Sequence, residues 1–200
     1  MMDALLDLTA QMAREGIRRL LVLSGDEAWT LQQAQALRER LAGDGLWVGS
    51  EPVSAPGVAP GALKTLLGRE VMHAFFDARR GFDVAALAAL SGTLRAGSWL
   101  VLLTPSFADW PSRVDEDSLR WSDTPDPIST PNFVLRCCRQ FIADPEVLLW
   151  RQSDSPRLPL AVRRPDWHPA DGHPLAEQAA ILGQLLRLPP GIAAVTAERG

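Results

Sequence analysis

The stretch that decides the fold is IRRLLVLSGD, residues 17–26. Its apolar run is short and continuous, which is typical of a parallel strand buried on both faces of a sheet. Gly25 and Asp26 then turn the chain into a helix predicted over about 27–42, with Asp26 as its N-cap. A second helix, predicted over 2–16, precedes the strand and ends at a glycine. A buried strand between two helices predicts an α/β fold.

The same alternation recurs along the chain. Further strands are predicted in LWVGS (46–50), VMHAFFDA (71–78), WLVLLTP (99–105) and VLLWRQ (147–152), and helices over about 61–68, 82–97 and 131–143, the last with Thr130 as N-cap. Five short strands alternating with helices predict an open, mostly parallel sheet with helices on both faces, a three-layer fold of the RecA-like or flavodoxin-like kind. The proline-rich stretch 105–131 has no period, so we expect it to be structureless and either functional or mobile.

Composition narrows the class of protein. The 200 residues are 46% hydrophobic and 22% charged, which excludes a disordered chain, and the net charge of −4 argues against binding nucleic acid mainly by charge. The two cysteines, Cys137 and Cys138, are adjacent and predict a reduced, cytoplasmic chain with no disulfide. The N-terminus lacks the basic region of a signal peptide, and no apolar run approaches the ~20 residues of a membrane helix. We therefore expect a soluble protein.

Two strand ends could carry nucleotide chemistry. Ser24-Gly25-Asp26 lies where a phosphate loop would lie, but it lacks the glycine spacing and the lysine, which favours a tight turn. Asp77 ends an apolar strand, as the metal-binding Asp of nucleoside triphosphatases does, yet a carboxylate that caps a helix or orders a loop is the favoured role. A flavodoxin-type nucleotide site on these two ends stays an open alternative.

Histidines suggest a metal site only weakly. Asp166, His168, Asp171 and His173 fall within eight residues, but no third His or Cys is near, so a solvated linker is favoured. His73, inside a strand, is interpreted as a core or interface histidine, and the two cysteines as packing residues on a helix. No metal site and no catalytic residue is predicted in this chain.

The C-terminal part has a different organisation. A proline-rich region over 152–174 marks a domain boundary, which we set between 1–165 and 166–200. A helix over about 175–188, a Pro-Pro-Gly turn and an apolar strand, IAAVTA (192–197), follow. A phosphate-binding loop lies between a buried strand and a helix, and it holds phosphates at the N-terminus of that helix. A buried strand that leads into a glycine-bearing loop is therefore the pattern expected before such a loop. These residues alone give a weak signal for one.

Long segments of the chain, irregular loops included, resemble one family. They are TAQMAREGIRRLLVLSG (9–25), LKTLLGRE (63–70), FDARRGFDVAALAALSGTLRAGSWLVLL (76–103), DSLRWSDTPDPISTPNF (117–133) and LPPGIAAVTAERG (188–200). Together they resemble the N-terminal part of the bacterial tRNA(Met) cytidine acetyltransferase family, TmcA, over essentially the whole chain.

The resemblance implies a function for the parent protein. Enzymes of this family transfer an acetyl group from acetyl-CoA to N4 of the wobble cytidine of elongator tRNA(Met), with ATP hydrolysis by a helicase-like module that uses Mg²⁺. It implies that 1–165 is the N-terminal α/β domain and that 166–200 is a linker with the first helix and strand of a truncated P-loop ATPase domain. By motif, Gln178 matches the glutamine that reads adenine and Gly200 the first glycine of the phosphate loop. The resemblance implies no membrane and no DNA partner.

Two classes of function therefore remain at this point. In the first, the chain is a fragment of that enzyme, inactive alone, whose α/β domain acts as a scaffold or guides RNA. In the second, it is a stand-alone, non-catalytic α/β module that binds a protein or RNA partner. A reading frame continuing into Gly-Lys-Ser or Gly-Lys-Thr would favour the first.

Overall fold

The computed structural model describes residues 2–49, 57–62, 68–156, 158 and 175–196. The chain divides into two compact units, residues 1–164 and residues 165–200, and each is described by itself. Compactness does not identify a domain's family, so the assignment of 1–165 and 166–200 to two domains of the TmcA architecture stays a prediction.

The first unit alternates strands and helices. Its helices are α1 (Met2–Glu15), α2 (Glu27–Arg40), α3 (Val84–Ser91) and α4 (Pro131–Ala143), with 3₁₀ helices at Trp110–Ser112 and Glu116–Arg120. Its strands are β1 (Arg19–Ser24), β2 (Gly45–Val48), β3 (Gly57–Val58), β4 (His73–Asp77), β5 (Trp99–Thr104), β6 (Val114–Asp115), β7 (Ile128–Ser129) and β8 (Leu148–Arg151).

Six of these strands form one sheet in the order β3-β2-β4-β5-β1-β8, and every pairing is parallel. The long central pair runs from Arg19 opposite Trp99 to Ser24 opposite Thr104. The predicted α/β class is thereby confirmed, and the sheet is parallel throughout. β3 was not predicted, because its two residues lie in a proline- and glycine-rich loop and are held by pairing with β2.

Helices cover both faces of the sheet, which confirms the three layers. On one face, Leu21 and Leu23 pack with apolar residues of α1 and α2. On the other, Val22 belongs to a cluster that includes residues of α3 and α4. Since successive strand residues point to opposite faces, a strand covered on both sides must be apolar at every position. This is why residues 20–23 of β1 are a continuous apolar run.

The segment between β5 and α4 is ordered locally, so the expectation of a structureless stretch over 105–131 is wrong. It contains the two 3₁₀ helices and the antiparallel pair β6–β7, and Trp110 is buried against Phe82 with ring centroids 5.5 Å apart. Side-chain acceptors replace regular backbone pairing here: Asp115 Oδ1 accepts from the N–H of Asp117, and Ser118 Oγ accepts from that of Ile128. Such long-range and Asx-type bonds leave no periodic pattern in the sequence.

Two helix ends also differ from expectation. α3 ends at Ser91, because Gly92 caps it, and does not reach the glycine at 97. Thr130 precedes α4 as predicted, but its hydroxyl makes no capping hydrogen bond. Pro131, at the first turn, lacks an N–H group, so that turn has one fewer donor to satisfy.

The second unit is described over residues 175–196. It holds one helix, α5 (Ala176–Leu185), none of whose residues is buried. The predicted strand over 192–197 is wrong for its described residues: 192–196 form no strand, and the side chain of Ile192 is fully exposed. An apolar run becomes a strand only where a neighbouring strand accepts its backbone bonds. In the described part of the chain, no helix combines the length and the apolar character that crossing a membrane needs.

Candidate functional site

The ends of β1 and β5 form the crevice where folds of this class bind ligands. β1 lies between β5 and β8, and the chain leaves it through α2 toward β2 on one side. From β5 the chain proceeds through α4 to β8 on the other side. Ligands in open α/β sheets bind where neighbouring strands send their connections in opposite directions. We call the C-terminal ends of the sheet strands the carboxyl edge, and this crevice its switch point.

Backbone donors at the switch point already have acceptors inside the chain. The N–H of Gly25 donates to the carbonyl of Thr104 at 3.3 Å, and that of Asp26 donates to Gln152 Oε1 at 2.8 Å. The N–H of Trp29 donates to Asp26 Oδ1 at 2.8 Å, which confirms Asp26 as the N-cap of α2. A phosphate at a helix N-terminus is held by such N–H groups. Two side chains and one backbone carbonyl of the protein therefore occupy the positions that a phosphate would need.

Gln152, the residue after β8, closes the crevice sterically. Its Nε2 donates to Asp26 Oδ2 at 2.6 Å, so its amide makes two bonds to one residue. A Cβ placed on Gly25 would lie 2.7 Å from Gln152 Oε1 and 2.8 Å from Trp29 Cε3. The backbone of Gly25 is thus covered so closely that even a methyl group does not fit. The N–H of Trp29, followed by the amide of Gln152, lowers the pKa of Asp26 and keeps it an anion.

Asp77, at the end of β4, is held by a buried arginine. Arg79 Nη2 lies 2.6 Å from Asp77 Oδ2 and Arg79 Nε 2.8 Å from Asp77 Oδ1, with side chains 3% and 7% exposed. Arg79 Nη1 also donates to the carbonyl of Glu27 at 2.8 Å, which ties the loop after β4 to the start of α2. Both carboxylate oxygens of Asp77 thus bond to Arg79. This is the loop-ordering role that the sequence favoured over metal binding.

Hydrogen bonds and an ion pair hold the segment before α4, residues 105–130, against the same edge. The N–H of Glu116 donates to the carbonyl of Arg80 at 2.9 Å, and the N–H of Phe82 donates to Asp115 Oδ1 at 3.0 Å. Arg120 pairs with Asp83 at 3.2 Å. These bonds link the loop after β4 to the 3₁₀ helix at Glu116–Arg120.

A cleft of about 210 Å³ lies beside this segment. Gly49, after β2, and Pro60 line it together with Asp77, Arg80, Gly81, Asp83, Glu116 and Asp117. Four of these are carboxylates, and three of the four already pair with arginines outside the cleft. The cleft thus presents no excess of positive charge that would attract a nucleotide's phosphates.

The two family-implied ATP contacts lie in the second unit. Gln178 is on the first turn of α5, where its Oε1 accepts from the N–H of Leu175 at 2.9 Å. Gly200 lies outside the described residues, as do all four members of the histidine and aspartate group at 166–173.

The remaining candidates have structural environments. His73 is buried, and its Nδ1 accepts from the N–H of Trp99 at 3.1 Å, as expected of a core histidine. Burial lowers the pKa of His73. Cys137 and Cys138 are free thiols. Burial raises the pKa of both, that of Cys138 to about 11, which suits packing residues and not a nucleophile.

Sequence reasoning missed the two residues that close the carboxyl edge. Gln152 donates a hydrogen bond to Asp26, which lies 126 positions earlier in the sequence, and no local pattern indicates such a pair. Arg79 is close in sequence to its partner, because Asp77-Ala78-Arg79 at the end of an apolar strand places an acid and a base two residues apart. That spacing at a strand end was the available signal.

Comparison with known proteins identifies the family. Residues 1–152 match the family described as tRNA(Met) cytidine acetyltransferase TmcA, N-terminal. A protein named tRNA(Met) cytidine acetyltransferase TmcA from Citrobacter koseri is 61% identical over 198 residues, 99% of this chain and 30% of that protein. Proteins of the same name from Salmonella typhimurium and Photorhabdus asymbiotica are 56% and 44% identical over 99% and 100% of the chain, which cover 30% and 29% of their lengths. The chain therefore belongs to the TmcA family, and it matches the N-terminal region of that family's members.

Proposed function

We propose that this chain is the N-terminal part of an ATP-dependent enzyme that acetylates N4 of the wobble cytidine of elongator tRNA(Met) with acetyl-CoA. The names of the relatives support this proposal, and the chain spans about 30% of their length. In it, 1–165 is the N-terminal domain, and 166–200 is the linker with the opening of a P-loop ATPase domain. The parent protein works in the cytoplasm on tRNA, not on DNA or at a membrane.

Within that enzyme, we assign the first unit the role of a non-catalytic scaffold. The observation that carries this role is the self-occupied switch point, where Asp26, Gln152 and Thr104 accept the hydrogen bonds that a ligand would need. A domain whose ligand crevice is filled by its own side chains keeps the shape of a nucleotide-binding fold without its chemistry. No catalytic residue is assigned in this chain.

ATP in this proposal is contacted by Gln178 and by Gly200. The amide of Gln178 carries two N–H donors and a carbonyl oxygen with two lone pairs, so the bond from Leu175 leaves a lone pair for adenine. The residues present thus fit an adenine-reading role. Holding Mg²⁺ and the phosphates requires a Lys and a Ser or Thr after the glycine, and we place these residues after Gly200 in the full-length protein.

A chimera tests the proposal. Residues 1–200 replace the equivalent region of the Citrobacter koseri relative, and N4-acetylcytidine formation on tRNA(Met) is measured with acetyl-CoA and Mg-ATP. The chimera is expected to be active and the 200-residue chain alone inactive. Gln178→Ala in the chimera is expected to raise the KM for ATP more than the kcat falls. Gln184→Ala, on the same helix, is the matched control.

Two results would contradict the proposal. Product formation by the 200-residue chain alone would place catalysis inside it. A folded chimera that binds tRNA(Met) but forms no N4-acetylcytidine would favour the stand-alone binding module instead.

A further inference from the structure

Three exposed apolar side chains lie close together on the segment before α4. They are Leu119, Trp121 and Ile128, and Trp121 is 52% exposed. The buried Ser118 connects them: its carbonyl accepts from the N–H of Trp121 at 3.1 Å, and its Oγ accepts from that of Ile128 at 2.9 Å. Leu119 is the next residue in the chain. Single exposed apolar residues are common, but a group of them marks an interaction surface. We call these three side chains the apolar patch.

The indole ring of Trp121 is held in place by the protein itself. Its Nε1 donates to Asp117 Oδ2 at 3.2 Å, so its one polar atom already has a partner while the ring remains exposed. Asp117 is fixed in turn by Arg120, whose Nε and Nη2 donate to the two carboxylate oxygens at 3.0 Å and 2.9 Å. A binding partner therefore meets an apolar ring in a fixed position, as at the centre of a protein interface.

The segment that carries the patch is strongly acidic. Residues 105–130 have six acidic and two basic side chains, a net charge of −4, which equals the net charge of the whole chain. Glu116, Asp123 and Asp126 are exposed, and none of them forms an ion pair with another described residue. Arg120, one of the two basic residues, already pairs with two carboxylates. A surface of this charge repels the phosphates of RNA and attracts a basic protein surface.

We propose that the apolar patch and its carboxylates bind a basic, apolar surface in the part of the parent protein that follows this chain. This proposal rests on the proposed function, in which further domains follow, since the chain covers 30% of the Citrobacter koseri relative. A surface on the same polypeptide is present at high effective concentration, so a contact of modest area is enough to hold it. A second copy of this chain would bring the same negative charge and would be repelled.

Hydroxyl-radical footprinting of Trp121 tests this contact. The rate of Trp121 oxidation is measured by mass spectrometry in the 200-residue chain and in the chimera with the Citrobacter koseri relative, both without tRNA. Trp121 is expected to be oxidised several-fold more slowly in the chimera, because its ring is then covered. Ile142, which is exposed on α4 and lies outside the acidic segment, is the reference residue and is expected to be oxidised equally in both proteins.

Charge-reversed variants of the chimera identify the cause of the protection. Asp123→Lys combined with Asp126→Lys is expected to return Trp121 oxidation to the rate of the 200-residue chain, because like charges then face each other. Asp7→Lys combined with Glu39→Lys is the matched control, since both acids are exposed, on α1 and α2, and the net charge changes by the same amount. This control is expected to leave Trp121 protected.

Three results would overturn the proposal. Equal Trp121 oxidation in the chimera and in the 200-residue chain would show that nothing covers the patch. Protection that appears only after tRNA(Met) is added would make the surface an RNA contact. Protection that increases with the concentration of the 200-residue chain would make it a contact between copies.

N4-acetylcytidine formation by the same chimera separates this proposal from the proposed function. An active chimera with unprotected Trp121 overturns the docking contact alone. An inactive chimera with protected Trp121 supports the contact and contradicts the proposed function.

Discussion

Replacing Asp77 by alanine separates a structural carboxylate from a metal-binding one. In the structure, Asp77 neutralises the buried guanidinium of Arg79 through both carboxylate oxygens. The variant removes this carboxylate from beside Arg79, whose side chain is 3% exposed. Because the loss of a buried ion pair is strongly unfavourable, Asp77→Ala should lower the free energy of unfolding even when no nucleotide or metal is present.

The size of the effect follows from burial. Removing one partner of a buried ion pair costs about 3–5 kcal/mol. For a domain of this size, each kcal/mol shifts Tm by about 2–4 °C, so the variant should melt about 6–20 °C below the wild type. The exposed pair of Arg80 and Glu27, 3.4 Å apart with side chains 58% and 52% exposed, provides the contrast. Glu27→Gln should cost less than about 1 kcal/mol.

Urea unfolding of the 200-residue chain and both variants, followed by circular dichroism, measures these free energies. We expect the free energy of unfolding to be much lower in Asp77→Ala than in Glu27→Gln. If the free energy of unfolding of Asp77→Ala lies within about 1 kcal/mol of the wild-type value, the ion pair of Asp77 and Arg79 does not order the loop after β4. The bonds between Asp26 and Gln152, and not the ion pair of Asp77 and Arg79, would then hold the carboxyl edge.

Three further predictions concern the core and the backbone. Burial lowers the pKa of His73 below its ordinary value of 6.5, so as pH falls below 6.5 the unfolded chain takes up a proton that the folded chain does not, and the free energy of unfolding falls. In urea titrations at several pH values, His73→Gln should make the free energy of unfolding depend less steeply on pH. An unchanged pH dependence would refute this prediction. Gly97 and Gly16 both have positive φ, 81° and 71°, but a Cβ at Gly97 would lie 2.8 Å from Ala13 Cβ, whereas Gly16 has open space. Gly97→Ala should cost about 2–4 kcal/mol and Gly16→Ala about 1 kcal/mol, and equal costs in urea unfolding would refute the steric argument. With its pKa raised to about 11, Cys138 should react with iodoacetamide at neutral pH far more slowly in the folded chain than in urea, as mass spectrometry would show; similar rates would contradict its burial.

Elements fixed by local chemistry could be predicted from the sequence. β1 and β5 are apolar at nearly every position because both faces of the sheet are covered, and the sequence carries that requirement directly. The Asp26 cap is equally local, since its carboxylate bonds an N–H three residues away. The fold class and the turn after β1 follow from such features.

Elements fixed by distant partners could not be predicted. β3 is a strand because β2 pairs with it, and its own two residues, Gly57 and Val58, give no such pattern. The strand predicted over 192–197 is wrong in its described residues, 192–196, for the converse reason, because an apolar run without a paired neighbour stays irregular. Gln152 fills the switch point only because the order of the sheet places the end of β8 beside that of β1.

Titration calorimetry of the 200-residue chain with Mg-ATP tests whether the first unit is a scaffold that binds no nucleotide. The N–H groups at the switch point are occupied, and the chain contributes only Gln178 and Gly200 to the proposed ATP site, so several charged contacts of about 1.5–3 kcal/mol each are missing. We expect no measurable heat of binding and no hydrolysis. Micromolar affinity, abolished by substituting Ser24 or Asp77, would contradict it and would make the first unit a nucleotide-binding domain.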